Sequence, residues 1–346
     1  MRSSISSSRR SLAPARLNTL SLVTLAALLT GCLLIVVDHG LRTRGALPSL
    51  QNTRELWALA RDRVAADKAT DSIVLMGASR MQTNIALDEL RQRSGGRVHQ
   101  LAVSGGAPFR MFEDIVENTE FRGTIVLSMV SPWLVPGLGR DALKERFVVY
   151  HADHWNWARA LDTRLENAVA ARFVFSHPHY GLRSVLSSLV LHGVPFRRPL
   201  YLTTAPDREQ ALMFEHADRA ALLKRRVEST REDFAGKAMP GAAEWERIVA
   251  EFAALVGKFR ARGGEVVLMR LPSSGALRDV EEGFAPRAEY WDSLARALPG
   301  PSLHYEDAPA LRGFALPDGS HIDAADKPAF TAAFADALEG FGVFDR

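Results

Sequence analysis

Three side chains in this sequence have the types and spacing for nucleophilic catalysis: Ser79 in Gly77-Ala78-Ser79, and Asp318 and His321 in Asp318-Gly319-Ser320-His321. A serine hydroxyl is a poor nucleophile until a base takes its proton, and the base needs an acceptor that holds it in the correct tautomer. Asp and His three apart on a loop can set a carboxylate against one imidazole nitrogen while the other faces the serine. Asp323, next along, suits the cap of the helix that follows, which leaves Asp318 as the third member.

The elements around these residues must bring them to one place. Ile73 to Met76 is a four-residue apolar run bounded by Asp71-Ser72 and Gly77, the pattern of a buried parallel strand, so Ser79 falls just past the strand's carboxyl end. Ligand sites in open α/β sheets lie at those ends. A short amphipathic helix is expected over 85–93, stopped by Gly95-Gly96. A strand over 98–103, the glycine turn Ser104-Gly105-Gly106, a helix through Phe112, Ile115 and Val116, and a strand over 124–130 follow. This β-α-β-α-β order implies parallel strands with right-handed crossovers. The pattern resumes with a helix over 242–262, a strand over 265–271, a helix over 286–298, a short strand near 303–305 and a last helix over 323–338. Between them, helical spacing over 155–170 and 208–232 predicts a mostly helical insertion that caps one edge of the sheet. The fold class is a three-layer α/β/α sandwich, flavodoxin-like, with a parallel sheet. Its α/β domain comprises 71–135 and 241–346, and the insertion is 136–240.

With these motifs the chain resembles the SGNH (GDSL-like) hydrolase superfamily. Gly77-Ala78-Ser79 is similar to the family's first block, Gly-Asp-Ser, with Ala78 in place of Asp; Ser104-Gly105-Gly106 is similar to the second; Asp318-Gly319-Ser320-His321 is similar to the fifth, Asp-x-x-His. The resemblance covers about residues 71–135 and 262–340. It implies a Ser79–His321–Asp318 triad, with the Ser79 and Gly105 backbone N–H groups donating to the oxyanion. The family's third block carries an Asn as a further donor; here that strand end reads Val130-Ser131-Pro132, and a Ser131 hydroxyl would have to serve instead. Losing one such donor typically costs on the order of 100-fold in rate.

The chain has 346 residues, enough for one large core with an inserted subdomain. The net charge of +3 is local: Arg2, Arg9, Arg10 and Arg16 precede the first apolar run, and without them the rest is slightly acidic, which does not suggest nucleic acid binding. Residues 1–16 read as a cytoplasmic tail. Residues 17–37 carry no charge and as a helix span roughly 30 Å, the thickness of a bilayer core. The preceding arginines favour a cytoplasmic amino terminus, with the main domain outside a bacterial inner membrane. Residues 38–70 read as a polar stalk and a helix. The alternative is a lipoprotein: Leu29-Thr30-Gly31-Cys32 resembles a lipobox, although five apolar residues after Cys32 suit an uncut anchor better. Cys32 is the sole cysteine, so there is no intrachain disulfide.

Other residues invite weaker readings. His151, His154, His177 and His179 lack a helix-borne zinc motif, so no metal and no cofactor are expected. Trp155 and Trp157 suit packing more often than a sugar platform. Arg80 could hold a substrate anion or form a structural ion pair. Membrane-tethered relatives of the SGNH type act in alginate O-acetylation and teichoic acid D-alanylation beside a membrane-bound O-acyltransferase. By that resemblance the expected partners are an acyl donor or acylated glycan and such an acyltransferase. The expected function is a serine esterase or O-acyltransferase acting on a cell-surface glycopolymer. A catalytically lapsed glycan-binding or scaffold subunit is the alternative.

Overall fold

A computed structural model describes residues 18–138, 145–193 and 198–345. The amino-terminal tail and Leu17 lie outside the described residues, as do parts of the insertion. Five strands form one parallel sheet in the order β2-β1-β3-β6-β7: β1 Ile73–Met76, β2 Val98–Gln100, β3 Thr124–Ser128, β6 Glu265–Arg270 and β7 Ser302–His304. Strand alternation divides the apolar residues between two cores. Val74, Met76, Ile125, Leu127, Val266 and Leu268 face helices Arg54–Ala66, Phe109–Asn118 and Ala242–Ala261. Ile73, Leu75, Val126, Val267 and Met269 face helices Leu87–Ser94 and Lys327–Glu339. The result is a three-layer α/β/α sandwich. The chain leaves β1 toward β2 and returns to β3 on β1's other side, so the crevice between the ends of β1 and β3 is the switch point.

Several elements differ from the sequence reading. Of the stalk and helix expected over 38–70, the helix is present as Arg54–Ala66, but the stalk does not stand free. The first helix continues to Arg42, and Arg54–Ala66 packs into the core through Trp57, whose indole donates to the Leu101 carbonyl at 3.2 Å. The arginines of this segment are partly neutralised from afar: Arg61 is buried against Asp114 at 2.9 Å. Because Trp57 is fully buried on the sheet, Trp57→Ala is expected to cost about 3–5 kcal/mol in denaturant unfolding of the full chain, with the m-value unchanged.

The insertion is not wholly helical. Residues 208–212 belong to an antiparallel hairpin, β4 Leu202–Thr204 with β5 Gln210–Leu212, and the helix begins only at Arg219. The hairpin tip holds Arg208 at φ +71°. Its fully buried guanidinium donates to the carbonyls of Gln100 and Ala102 and to the Asn52 amide oxygen, and burial lowers its pKa to about 9. Nor does the insertion merely cap an edge. Helix Arg219–Phe234 lies over the site at the carboxyl ends of the strands, packed on helix Gly275–Phe284 with Phe234 and Phe284 stacked at 3.8 Å. The helix expected over 286–298 is shorter, Trp291–Ala297, and Gly275–Phe284 is an additional one. Asp323 does not cap the last helix, which begins at Lys327 with Asp326 as its N-cap. Its carboxylate instead accepts from the N–H of Ala325 and of Phe214 in the insertion.

Candidate active site

β1 is followed by Gly77, whose φ of +153° and contact with Ser128 leave no room for a side chain: a Cβ there would lie 2.8 Å from the Ser128 carbonyl oxygen. The close approach turns the chain sharply, and Ala78 then caps the short helix Ser79–Thr83. Ser79 is the first residue of that helix, so its N–H has no carbonyl to bond within the helix. It lines a cavity of about 460 Å³ together with Gly105, Gly106 and Trp133 from the strand ends and Arg226 and Thr230 from the overlying helix. Gly105 has φ +81° and open space where a Cβ would stand, so its backbone borders the same cavity as Ser79.

Asp318 and His321 come together as their spacing allows. The Asp318 Oδ2 to His321 Nδ1 distance is 2.8 Å, and Asp318 Oδ1 accepts from the N–H of Ser320 and of His321. Both side chains are 2% exposed. Gly319 permits the turn with φ +77°, under Leu223 of the overlying helix. The loop is laced to the helix that carries Ser79. Arg80 Nε donates to Ser320 Oγ at 2.9 Å, the Asn84 amide oxygen accepts from the Ile322 N–H at 3.1 Å, and the Asn84 amide nitrogen reaches the Ser320 carbonyl.

The Nε2 of His321 is buried and has no hydrogen-bond partner. In this state the Ser79 hydroxyl is therefore not bonded to it. An orphaned buried polar atom is uncommon and points to strain or function, and catalytic hydrogen bonds often tighten only when substrate is bound.

The electrostatics suit a base. Burial opposes ionisation of Asp318, but the His321 hydrogen bond and the Arg226 charge outweigh it and hold the carboxyl well below its usual range. Burial pushes His321 down, more than Asp318 raises it, with Arg226 and Arg80 adding to the fall, so the imidazole is neutral at pH 7. Arg226 reaches Asp318 Oδ2 with Nε at 3.1 Å and a terminal nitrogen at 3.0 Å. Arg80 is the structural ion pair: it binds Glu281 at 2.6 Å, and Glu281 also binds Arg270. Burial opposes ionisation of Glu281, yet these two cations bring its pKa to about 2.

The structure does not bring Ser131 into the Ser79 cavity. It is buried in the turn Ser131–Leu134 and lines an adjoining cavity of about 420 Å³, which shares Gly105, Gly106 and Trp133 with the first. The turn carries Ser131 to one side and presents Trp133 to both cavities. The histidines go elsewhere: His151 bonds Asp62 at 2.8 Å, beside the Trp155 indole on the same carboxylate, and His179 bonds the Arg198 carbonyl.

Sequence reasoning missed Arg226, Asn84 and Gln82. Gln82 Oε1 accepts from the Ser104 N–H at 3.1 Å, and its amide nitrogen donates to the Arg208 carbonyl. The helix of Ser79, the hairpin and the Gly105 turn are thus tied together. The nearness of Gln82 and Asn84 to Ser79 was a usable signal; nothing in the sequence marked Arg226.

No family model matches the chain, and no curated protein matches it. Among solved structures, one titled "Crystal Structure of TesA" is similar over 78% of this chain and 99% of that one, with 11% sequence identity and a TM-score of 0.34. The chain's chemistry is therefore to be read from its own residues.

Proposed function

We propose that the chain is a membrane-anchored serine esterase or O-acyltransferase of the SGNH type, working through an acyl-serine intermediate. One observation carries this reading: a buried imidazole, oriented by Asp318 and left with an unbonded Nε2, on a loop laced to the helix that presents Ser79. In this reading the Ser79 hydroxyl is the partner that Nε2 lacks, and the bond between them forms when substrate is bound. His321 then takes the hydroxyl proton as Ser79 Oγ bonds to an ester or thioester carbonyl carbon. The N–H groups of Ser79 and Gly105 hold the oxyanion. As the tetrahedral intermediate collapses, the bond to the leaving group breaks and His321 returns the proton to that group. Water or a sugar hydroxyl, deprotonated by His321, takes the acyl group in the second half.

The membrane reading rests on helix Thr19–Arg42, 24 residues long and exposed over nearly its whole apolar stretch. Cys32 lies exposed on this helix, and the five apolar residues after it suit an uncut anchor. With the arginines on its amino-terminal side, the α/β domain would face outward. The adjoining cavity, with Trp133 and Trp291 among charged side chains, offers the mixture of aromatic and polar surface that suits a cell-surface glycan. A membrane-bound O-acyltransferase would supply the acyl group.

The second reading, a lapsed site retained for glycan binding or scaffolding, is favoured by the unformed Ser79–His321 bond and by the displacement of Ser131. The deciding experiment treats the full chain in detergent with a fluorophosphonate and with an aryl acetate. Labelling at Ser79 with acetate release is the expected result. A folded protein that does neither leaves the scaffold reading.

A further inference from the structure

Two helices of the insertion bury the wrong residues for a protein in water. Helix Trp157–Arg172 buries Ala160 and Thr163 and exposes Trp157, at 80%, with Leu161, Leu165 and Val169 following at every fourth residue on one face. Helix Leu182–His192 buries Ser188 and exposes Leu186, Leu189, Val190 and Leu191. Large apolar side chains are the ones normally removed from water, and a contiguous exposed set marks a contact surface.

The segment joining these helices is where the amino-terminal helix docks. The Val174 N–H donates to Asp38 Oδ1 at 2.6 Å. Arg42 pairs with Asp38 and donates to the Arg172 carbonyl. Leu41, Ala46, Val174 and Tyr180 close a small core around the joint. Both apolar faces thus begin within a few residues of the point where the first helix ends.

We propose that these two faces lie in the interface of a lipid bilayer, and so hold the domain against the membrane that Thr19–Arg42 crosses; the inference rests on the membrane-spanning reading of that helix. At 16 and 11 residues the two helices are too short to span, since a span needs about 20 residues. They lie in the plane instead, as interfacial amphipathic helices do. Arg164 and Arg172 follow Leu161 and Val169 by three residues on the same face, placed to extend toward anionic headgroups. Trp157, at the start of its helix, is the residue type that settles at the headgroup level. The joint at Asp38 and Val174 sets both helices beside the end of the helix that crosses the membrane.

The test uses the full chain with Cys32→Ser and one new cysteine carrying an environment-sensitive fluorophore. The cysteine is placed by Leu165→Cys or Val190→Cys, with Leu29→Cys in the first helix and Glu246→Cys, exposed on the core helix Ala242–Ala261, as references. Each protein is reconstituted in phosphatidylethanolamine–phosphatidylglycerol vesicles with and without brominated acyl chains. Positions 165 and 190 are expected to shift to the blue and lose emission to the brominated lipid, as position 29 does, while 246 does neither. If 29 is quenched but 165 and 190 remain in water, the surface assignment is overturned and the span stands. If 29 also remains unquenched, the span fails and takes this inference with it. If 165 and 190 are shielded from aqueous iodide yet untouched by brominated lipid, a second copy of the chain covers the face, which overturns the lipid assignment.

Discussion

Ser79→Ala, His321→Ala and the double variant are expected to lose nearly the same factor in acylation rate, about 10⁴-fold or more, because nucleophile and base act as one unit. The single-turnover reaction with an aryl acetate reads this directly. The structure gives the reason for non-additivity. His321 Nε2 has no partner among the described residues, and its other nitrogen is committed to Asp318, so in the proposed mechanism the imidazole acts only through the serine proton. Once Ser79 is gone, removing His321 removes no further step. Losses that multiply in the double variant would mean that the two residues act separately and would sink the triad. His321→Gln, closer in volume, guards against a folding defect in this buried position, with the melting temperature as the control.

The central part of the fold was legible because it is local in sequence. β1, β3 and β6 are short apolar runs stopped by glycine or polar residues, and the sheet places them side by side as parallel strands. Asp318 and His321 were legible for the same reason, since a three-residue spacing on a loop nearly fixes their meeting. What the sequence concealed is held by distant partners. β4 and β5 are three residues each, too short for a periodic signal. They exist because Arg208 is plugged into the end of β2 and because Lys327 donates to the Gln210 carbonyl at 2.7 Å. Segment 38–70 read as a polar stalk and a helix because its charges are visible in sequence and their partners are not: Asp38 meets Val174 and Arg61 meets Asp114 only in the fold. Ser131 sits at the strand end, as expected for a donor, but the turn that starts there sets Trp133 rather than Ser131 in the lining of the Ser79 cavity. Arg226 lies in a helix rich in charged residues, and only the fold sets it against Asp318.

Arg226 and Asp318 can be separated by the direction in which each moves the pH profile. His321 must be neutral to act, and burial holds its pKa below the ordinary value of about 6.5, so activity should persist below pH 6.5 and fall on further acidification. Arg226→Met removes a cation that disfavours the imidazolium and leaves the Asp318 charge less neutralised. Both effects raise the His321 pKa, so the acid limb moves toward higher pH while the plateau rate changes by about tenfold or less. Asp318→Asn should do the opposite on both counts. The imidazolium loses its counter-charge and the acid limb moves to lower pH. The plateau falls about 10⁴-fold, because the tautomer is no longer fixed. The size of that second effect follows from the acceptor geometry. Oδ1 of Asp318 receives two backbone N–H groups, and Oδ2 receives both the imidazole and the guanidinium. An amide has one acceptor oxygen, so either orientation of Asn sets an NH₂ against donors, and the orientation that keeps the loop intact is the one that turns the NH₂ on His321. A plateau that survives Asp318→Asn would show that His321 is held in place by the loop alone, and would remove Asp318 from the mechanism.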